Sequence, residues 1–323
     1  MNIRTIDNTS GQLLKDGAEL NIVAEDDNDS LLCSCSIWTD GVPQSPPGGL
    51  FGLSGDRVRI GVIGHFDATS TVPAISMLHA AVNELQKKGC NVAVGPMDGN
   101  TWMPYRMVTE SNGRAPFFLE PTNHESWQDT FVRAGFESIA EYSSSLNSNL
   151  NFEDLRLLSA SKRLATTGVT INSLDPSRTG IDLQRIYNLS LISFRRNYLY
   201  TSIDETTFLE QYNKVMPFVK PELVLLAEHD DTLVGYLFAI PDILQQRCGV
   251  TSDTVVLKTV AVLPGRRWAG LGQILIARCH QTARDLGFTN VIHALMHDGN
   301  NSKNISGYYA KTIRRYTLFG KRI

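Results

Sequence analysis

The run 262–272 contains residue types that could bind a phosphate. Pro264, Arg267, Gly270 and Gly272 all fall within it. A glycine has no Cβ, so a ligand can approach its backbone closely, and a guanidinium binds phosphate oxygens in pairs. If a helix begins here, its first N–H groups have no intrahelical acceptor and lie at the positive end of the helix dipole. The sequence therefore predicts a site for a phosphate or a pyrophosphate.

Two predicted elements would hold this turn. Before it, 255–262 is β-branched and apolar, which is typical of a buried strand. After it, apolar residues recur at helical spacing up to the stop at Gly287. They are Leu271, Ile274, Leu275, Cys279 and Leu286. The turn is thus expected where a strand hands over to a helix.

Two common phosphate loops do not fit. The segment 270–275 completes neither G-x-G-x-x-G nor G-x-x-x-x-G-K-[ST]. The pattern V-x-P-x-x-R-x-x-G-x-G does fit, at Val262, Pro264, Arg267, Gly270 and Gly272. Here the chain resembles the GNAT superfamily of acyl-CoA-dependent N-acyltransferases, whose motif A has this form and clamps the pyrophosphate of coenzyme A.

The resemblance implies a fold, a co-substrate and a set of contacts. The expected fold is α/β (α+β), with two GNAT-like domains that are each a mixed, mostly antiparallel sheet flanked by helices. The expected co-substrate is acetyl-CoA or coenzyme A, with strand backbone along the pantetheine arm and the turn around the diphosphate. The residues that would bind it are Val260, Ala261, Val262, Arg267, Trp268, Ala269, Gly270, Leu271, Gly272, Asn301 and Ser302.

The family usually protonates the departing thiolate with a tyrosine on the helix after its fifth strand. Asn301 and Ser302 are a good helix start, and Tyr308 lies at the family's spacing from the asparagine. Tyr309 and Tyr316 are rivals, and a tyrosine that only packs in the structure is the plain alternative. A phenol of ordinary pKa is protonated at neutral pH and can donate. The catalytic candidates are therefore Tyr308 and Tyr316.

The sequence singles out no general base and no metal site. Glu228, Asp253 and His293 could accept a proton, but none has a distinctive spacing, and each could be an ordinary turn or strand residue. His293, His297 and Asp298 hint at a metal, but no dependable further ligand accompanies them and the family's reaction needs none. The prediction is therefore that no metal is bound.

Composition narrows the class of protein. The chain has 323 residues, a net charge of −3 and a pI near 6.2, which give no electrostatic case for nucleic acid or an anionic membrane. No apolar run is long enough to span a membrane, and 1–20 has no apolar signal-peptide core. Five scattered cysteines suit a reducing compartment. A cytoplasmic location is expected.

A repeat divides the chain. Gly89, Asn91-Val92 and the run 97–100 recur as Gly287, Asn290-Val291 and the run 296–300, each after a strand and an amphipathic helix. This predicts a domain 1–148 and a GNAT N-acyltransferase domain 149–323. The run 65–72 of the early copy has neither the arginine nor the paired glycines. The first domain is therefore expected to be degenerate and to lack a CoA motif.

Other elements follow from local patterns. We expect a loosely held arm over 1–29, strands at 31–38, 56–65 and 91–94, a helix from about 70 to 88 and a linker at 147–151. The stretch 152–220 looks helical, and 222–240 looks like a hairpin turning at 229–231. Few residues follow Phe319, so the usual final strand is expected to be short or missing.

Three functions remain open from the sequence. The leading one is an N-acetyltransferase that transfers an acetyl or other acyl group to a primary amine by direct attack in a ternary complex. The acceptor would be a small molecule or a peptide, and the chain a monomer that is an internal pseudo-dimer, or a homodimer. The second is a non-catalytic acyl-CoA-binding or scaffold protein. The third, a nucleotide-binding oxidoreductase built on 61–66, lacks a third glycine.

Overall fold

The computed structural model describes residues 1–7, 14–151, 157–247, 249, 251–299 and 310–323. Its strands are β1 (Asn2–Asp7), β2 (Leu20–Glu25), β3 (Leu31–Trp38), β4 (Ile60–Ala68), β5 (Val92–Gly95), β6 (Met107–Ser111), β7 (Glu137–Asn147), β8 (Thr170–Ser173), β9 (Val224–His229), β10 (Thr232–Pro241), β11 (Thr254–Val262), β12 (Asn290–His297) and β13 (Lys311–Arg322). Its helices are α1 (Thr71–Lys87), α2 (Trp127–Arg133), α3 (Leu157–Thr166), α4 (Thr179–Ser193), α5 (Glu205–Val215), α6 (Ile243–Arg247) and α7 (Leu271–Asp285).

The strands form one mixed sheet that is mostly antiparallel. Its order is β1-β2-β3-β4-β5-β13-β7-β12-β11-β10-β9-β8, with β6 paired to β13. The two parallel pairs are β4 with β5 and β11 with β12, and each is joined by a helix, α1 or α7. Read inward from both ends, the sheet thus presents the same succession of elements twice. This agrees with the repeat and with the predicted fold class.

The last strand of each half is exchanged at the centre of the sheet. β7, from the N-terminal half (1–148), pairs with β12 of the C-terminal half (149–323). β13, from the C-terminal half, pairs with β5 and β6 of the N-terminal half. β7 and β13 also pair with each other, antiparallel, from Lys311 opposite Leu146 to Gly320 opposite Glu137. The two halves therefore share one continuous hydrogen-bonded sheet.

Helices cover both faces of the sheet in the C-terminal half. α7 buries Leu271, Leu275 and Cys279 against one face, where they meet Leu237 of β10 and Val255 of β11. These positions recur every four residues, so they form one stripe of the helix. Helices α4 and α5 cover the other face. Their side chains Ile186 and Phe208 meet Tyr236, Phe238 and Val256. Successive side chains of β10 and β11 thus point to opposite faces of the sheet and contribute to two hydrophobic cores, one on each face.

Several sequence predictions agree with the structure. The 31–38 strand, the helix from residue 71, the turn into α7 and the β9–β10 hairpin all occur where the local patterns put them. The predicted arm over 1–29 is wrong, because β1 and β2 fill much of it and pair with each other along six residues. The stretch 152–220 is not wholly helical either, since β8 forms the edge of the sheet beside β9.

The prediction that the final strand is short or missing is also wrong. β13 has 12 residues and three neighbours, β5, β6 and β7. Its partners lie in the N-terminal half, so a search for a partner close in sequence could not find them. The predicted linker also starts too early, because Asn147 is buried and pairs with Val291 as the last residue of β7. Among the described helices, none is both long and apolar enough to cross a lipid bilayer.

Candidate functional site

The parallel strands β11 and β12 separate halfway along their length. They are paired from Thr254 opposite Asn290 to Leu257 opposite His293. Beyond these residues β11 continues to Val262 and β12 to His297, while β12 stays paired on its other edge with β7. The sheet therefore has an opening between β11 and β12, bounded by 258–262 on one side and 294–297 on the other.

The backbone of β11 directs two N–H donors into this opening, on the edge away from β10. The N–H of Leu263 donates to the Val234 carbonyl on β10, 2.9 Å away. Peptide groups alternate in direction along a strand, so the N–H of Ala261 also faces β10. The N–H groups of Val260 and Val262 consequently face the opening. The Val262 carbonyl accepts a hydrogen bond from the Ser193 hydroxyl at 3.1 Å.

A bulge in β11 marks the start of the opening. Phe238 of β10 lies opposite Thr259 and Ala239 lies opposite Leu257, so Lys258 has no partner across the ladder. An extra residue of this kind re-aims its side chain. The Lys258 side chain crosses towards the N-terminal half, where its Nζ donates to the Leu119 carbonyl at 3.0 Å.

The turn after β11 has the geometry that an anion site needs. Gly265 has φ 135°, and Gly270, just before α7, has the left-handed φ of 86°. The first intrahelical bond runs from the Ile274 N–H to the Gly270 carbonyl, at 3.1 Å. The N–H groups of Leu271, Gly272 and Gln273 therefore precede any intrahelical acceptor and point outward.

Neighbouring elements support this turn. Ala160 of α3 packs against Gly270, where an added Cβ would come within 3.1 Å of it, and Arg163 of α3 donates to the Ala269 carbonyl. Arg267 lies on the exposed outer side, with its Nη2 2.5 Å from His229 Nε2. Its guanidinium also stacks 4.8 Å above the Trp268 ring. The turn is thus fixed from two sides and its arginine sits at the rim.

A cavity of about 890 Å³ passes through the opening. Its C-terminal walls are β10, β11, β12, the α4–α5 region, and Gly272 and Ile276 of α7. Its N-terminal wall consists of 101–106, 119–121 and Tyr142. Gly272 also packs closely on β11, since a Cβ there would lie 3.6 Å from Val260 and 3.7 Å from Val262. The cavity therefore joins the start of α7 to a wall that the N-terminal half supplies.

Lys258 has an unusual protonation equilibrium within this cavity. Burial, followed by the charge of Arg106, lowers its pKa to about 7, although Glu120 opposes the shift. A lysine amine in water has a pKa near 10.4. At neutral pH, Lys258 is therefore a mixture of ammonium and free amine.

Glu120 is the carboxyl group of the cavity wall, and its side chain is only 1% exposed. It accepts a hydrogen bond from the Tyr316 hydroxyl at 2.5 Å, and the Arg314 Nε lies 3.3 Å away. Burial raises the pKa of the Glu120 carboxyl, while Tyr316 and Arg314 lower it. β13 thus holds Glu120 in place through both side chains.

His297 belongs to the same cavity. Its ring stacks on Tyr198, with centroids 5.5 Å apart, and meets Tyr142 edge-on at 5.0 Å. Its Nδ1 accepts the Gly299 N–H at 3.0 Å, which leaves the other nitrogen to carry the ring proton. Burial lowers the pKa of His297. The cavity wall around His297 is therefore aromatic.

The predicted base candidates lie in different places. Glu228 is paired with Arg185 on the outer hairpin, and Asp253 accepts from Thr254 and Gln245 before β11 begins. His293 lines the cavity but is 2% exposed, and its Nε2 lies 2.8 Å from His280 Nε2. Burial and then His280 lower the pKa of His293 well below its usual value.

Of the predicted proton donors, only Tyr316 lies in the described part of the chain. Asn301, Ser302, Tyr308 and Tyr309 lie outside the described residues. Tyr316 is on β13, fully buried, and its hydroxyl contacts Glu120 and Ser144. It is not among the residues that line the cavity, so it reaches the cavity only through Glu120.

Sequence reasoning missed Arg106, Glu120 and Lys258. Lys258 did give a signal, because it is the one charged residue in the apolar run 255–262. Arg106 and Glu120 lie in irregular segments between strands and carry no periodic pattern. Only the exchange of β7 and β13 brings them to the C-terminal opening.

Comparison with known proteins gives a family match for part of the chain. Residues 183–309 match the profile of the Acetyltransferase (GNAT) family. This segment contains β9 to β12, the turn and α7. No curated protein matches the chain significantly.

Solved structures resemble the whole chain in fold, at low identity. A probable N-acyltransferase from Enterococcus faecalis aligns with a TM-score of 0.56 and 8% identity, over 100% of this chain and 72% of its own. A glucosamine N-acetyltransferase region in a fungal multi-domain β-N-acetylglucosaminidase gives 0.55 and 12%, over 94% of this chain. This chain spans only 33% of that fungal protein. A tandem GNAT protein from the clavulanic acid pathway gives 0.50 and 10%, over 94% and 82%.

Proposed function

We propose that this chain, whose residues 183–309 belong to the GNAT acetyltransferase family within a tandem GNAT fold, transfers an acetyl or other acyl group from acyl-CoA to an amine. The observation that carries the proposal is the opening between β11 and β12, with a glycine turn and the start of α7 at one end. It offers donors for a thioester arm and for a diphosphate together.

Acyl-CoA supplies the reactive thioester when it is bound. The residues that would hold it are Val260, Ala261, Val262, Arg267, Trp268, Ala269, Gly270, Leu271, Gly272, Asn301 and Ser302. The free N–H groups at the start of α7 fit a diphosphate because they need an acceptor and lie at the positive end of the helix. The N–H of Val260 or Val262 would polarise the acyl carbonyl.

The acceptor amine must lose a proton to attack. Lys258 is the best-supported base, because its pKa of about 7 leaves a substantial fraction of free amine at neutral pH. Its position at the bulge, on the same strand as the free backbone donors, brings it to the reacting end of the opening. We keep Glu228, Asp253 and His293 as weaker candidates, because the contacts described above occupy their side chains.

The departing thiolate needs a proton. Tyr308 remains the first candidate, on the family's spacing from Asn301. Tyr316 is the alternative and would act through Glu120, to which its hydroxyl donates. Burial raises the pKa of Tyr316 far above the usual phenol value, so the hydroxyl keeps its proton at neutral pH.

The decisive experiment combines CoA binding with release of free thiol from acetyl-CoA across a panel of primary amines. We expect wild type to bind CoA and release thiol with at least one amine class. Arg267→Glu should weaken CoA binding roughly 10- to 100-fold by placing a negative charge at the rim. Tyr308→Phe should keep CoA binding and lose rate. Arg57→Glu, on an exposed arginine of the N-terminal half, is the matched control.

Two outcomes would contradict this function. CoA binding without thiol release for any amine would favour the non-catalytic acyl-CoA-binding protein. No CoA binding by the wild type would remove the basis of both functions.

A further inference from the structure

Arg106 is a cation held rigidly in the wall of the cavity. It is 8% exposed, and its guanidinium carbon lies 4.1 Å from the centre of the Tyr105 ring and 4.2 Å from that of Tyr142. The two rings, whose centroids are 5.7 Å apart and whose planes are nearly perpendicular, pack on the guanidinium and restrict its orientation. Arg106 comes from the N-terminal half, and its Nη1 reaches the Leu295 carbonyl on β12 at 3.5 Å.

The charge of Arg106 has no counter-ion within the described chain. No carboxylate of the described residues forms an ion pair with it, and its buried Nε has no hydrogen-bond partner there. A buried cation without a counter-ion lowers the stability of the folded protein. Such a cation is therefore typical of a site where a bound ligand supplies the negative charge. The Leu295 contact is too long to replace such a partner.

The nearest carboxyl of the cavity wall does not meet this need. Glu120 is engaged by Arg314 and by the Tyr316 hydroxyl. Arg106 instead acts on the proton equilibria of its neighbours: its charge helps to lower the pKa values of Lys258 and of His297. Lys258 is a second cation whenever it is protonated. The part of the cavity around Arg106 and Lys258 is thus short of negative charge.

The diphosphate of CoA is not the anion that fits here. Its proposed donors are the rim arginine and the start of α7, at the far end of β11 from the bulge at Lys258. Arg106 instead faces the part of the cavity that the N-terminal half closes, beside the amine proposed as base. The anion that would pair with Arg106 therefore belongs to the acceptor that reacts with the thioester, and not to CoA.

We propose that the acceptor of this enzyme is an amine that also carries a carboxylate, such as an amino acid or a short peptide, and that Arg106 binds this carboxylate. The proposal rests on the acyltransferase function proposed above. The planar guanidinium can give two parallel N–H donors to a carboxylate, which orients the acceptor as well as holding it. The N-terminal half would thus set specificity for chemistry that the C-terminal half performs.

The test compares amino acids with their own primary amides as acceptors in the acetyl-CoA thiol-release assay, at constant amine protonation. Glycine, β-alanine, 6-aminohexanoic acid and glycylglycine supply a range of distances between amine and carboxylate. We expect at least one acid to exceed its amide roughly 10- to 100-fold in kcat/KM. Arg106→Met should abolish the preference, Arg106→Lys should retain part of it, and Arg133→Met, on an exposed arginine, should leave it unchanged.

Further readouts separate this proposal from the proposed function and from a folding defect. CoA affinity by calorimetry should be the same in wild type and Arg106→Met, because the proposed diphosphate donors lie at the other end of β11. If wild type acetylates acids and amides equally, or Arg106→Met keeps the preference, the proposal is wrong although the acyltransferase stands. If Arg106→Met does not fold, the wild-type comparison and Arg106→Lys decide.

A carboxylate on the acyl group is the other source of the same chemistry. Succinyl-CoA and butyryl-CoA, each with a simple alkylamine as acceptor, test it. We expect no Arg106-dependent preference for succinyl-CoA. A strong preference that Arg106→Met removes, without any preference among acceptors, would overturn the assignment to the acceptor.

Discussion

The two halves of the sheet contain the same strand-helix-strand unit in two different states. In the C-terminal half, β11 and β12 diverge and the space between them is a cavity. In the N-terminal half, β4 and β5 pair from Ile60 to Val62 and then the chain itself fills the gap. A Cβ on Gly64 would lie 2.1 Å from the Met97 carbonyl, and the His65 N–H donates to Asp98 at 2.6 Å.

The turns before α7 and α1 also differ, and only the one before α7 has the features of an anion site. α7 follows Gly270 in a left-handed conformation, whereas α1 follows Ser70 in an extended one, without a glycine pair or an arginine. The N-terminal unit therefore has the same architecture, but the gap between its strands is filled. It instead contributes Arg106 and Glu120 to the wall of the cavity and β7 to the sheet of the C-terminal half. The comparison teaches that one of two similar units in a sheet can leave a cavity between its strands while the other forms part of that cavity's wall.

Separating the halves should have the largest effect. We expect residues 1–148 and 149–323, expressed alone, to show no cooperative thermal unfolding, because β7 would lose both of its neighbours and β5 would lose β13. Mixed or co-expressed fragments should associate and unfold as one unit. A monomeric, cooperatively folded 149–323 fragment would contradict the shared sheet.

Lys258→Met should then reduce kcat by about 10²- to 10³-fold at saturating amine, because the proposed base is lost. Below pH 7 the Lys258 side chain of the wild type is protonated and cannot accept a proton. The kcat of the wild type should therefore fall as the pH drops through about 7. Lys258→Arg is the matched control, since it keeps the charge but not the proton acceptor. A near-normal rate in either variant would exclude Lys258 as the base.

A smaller effect is expected from a substitution in the filled gap between β4 and β5. Gly64→Ala should lower the free energy of unfolding by about 1–3 kcal/mol, because its methyl group meets fixed backbone. CoA affinity should stay at the wild-type value. Gly180→Ala, where nothing lies within 4 Å of the added Cβ, is the control in a denaturant titration. Weaker CoA binding in Gly64→Ala would mean that the N-terminal unit still holds the co-substrate.

The smallest expected effect is a gain in stability when Lys258 is replaced by methionine. Its folded pKa of about 7 lies below the unfolded value near 10.4, so protonation favours the unfolded chain between these two values. The cost is fully present below pH 7 and disappears as the pH rises through 10. From these two values the cost is about 4 kcal/mol at pH 7, but Lys258→Met also loses the hydrogen bond to the Leu119 carbonyl. The variant should therefore be more stable than wild type by about 1–2 kcal/mol at pH 7, with the difference shrinking in titrations at pH 9 to 10.

Local elements were legible in the sequence because their signals lie within a few residues. The strand before Pro264, the glycine turn and the helix to Gly287 follow from β-branching, missing Cβ atoms and apolar spacing. The neighbours of β13 could not be derived in this way, because they lie more than 160 residues earlier in the chain. Strand composition states how buried a strand is but does not identify its partner.

The same limit explains what was missed in the site. Arg106 and Glu120 gain their meaning only from the exchange of β7 and β13, which brings their loops to Lys258. The bulge at Lys258 depends on the register with β10, which a single strand does not encode. The side of the cavity at the glycine turn and α7 is therefore local and predictable, whereas the side that contains Arg106 and Glu120 is built by distant parts of the chain.

The most direct test of the central claim is the calorimetric affinity of CoA for wild type, Gly272→Asp and Gly272→Asn. A Cβ at this position makes only ordinary contacts, and Asp and Asn have nearly the same shape, so any steric effect is common to both variants. They differ by one negative charge at the start of α7. If the diphosphate binds there, Gly272→Asp should bind CoA about 10- to 100-fold more weakly than Gly272→Asn, and Ser70→Asp before α1 should change nothing. Equal affinities for the two Gly272 variants would contradict the account.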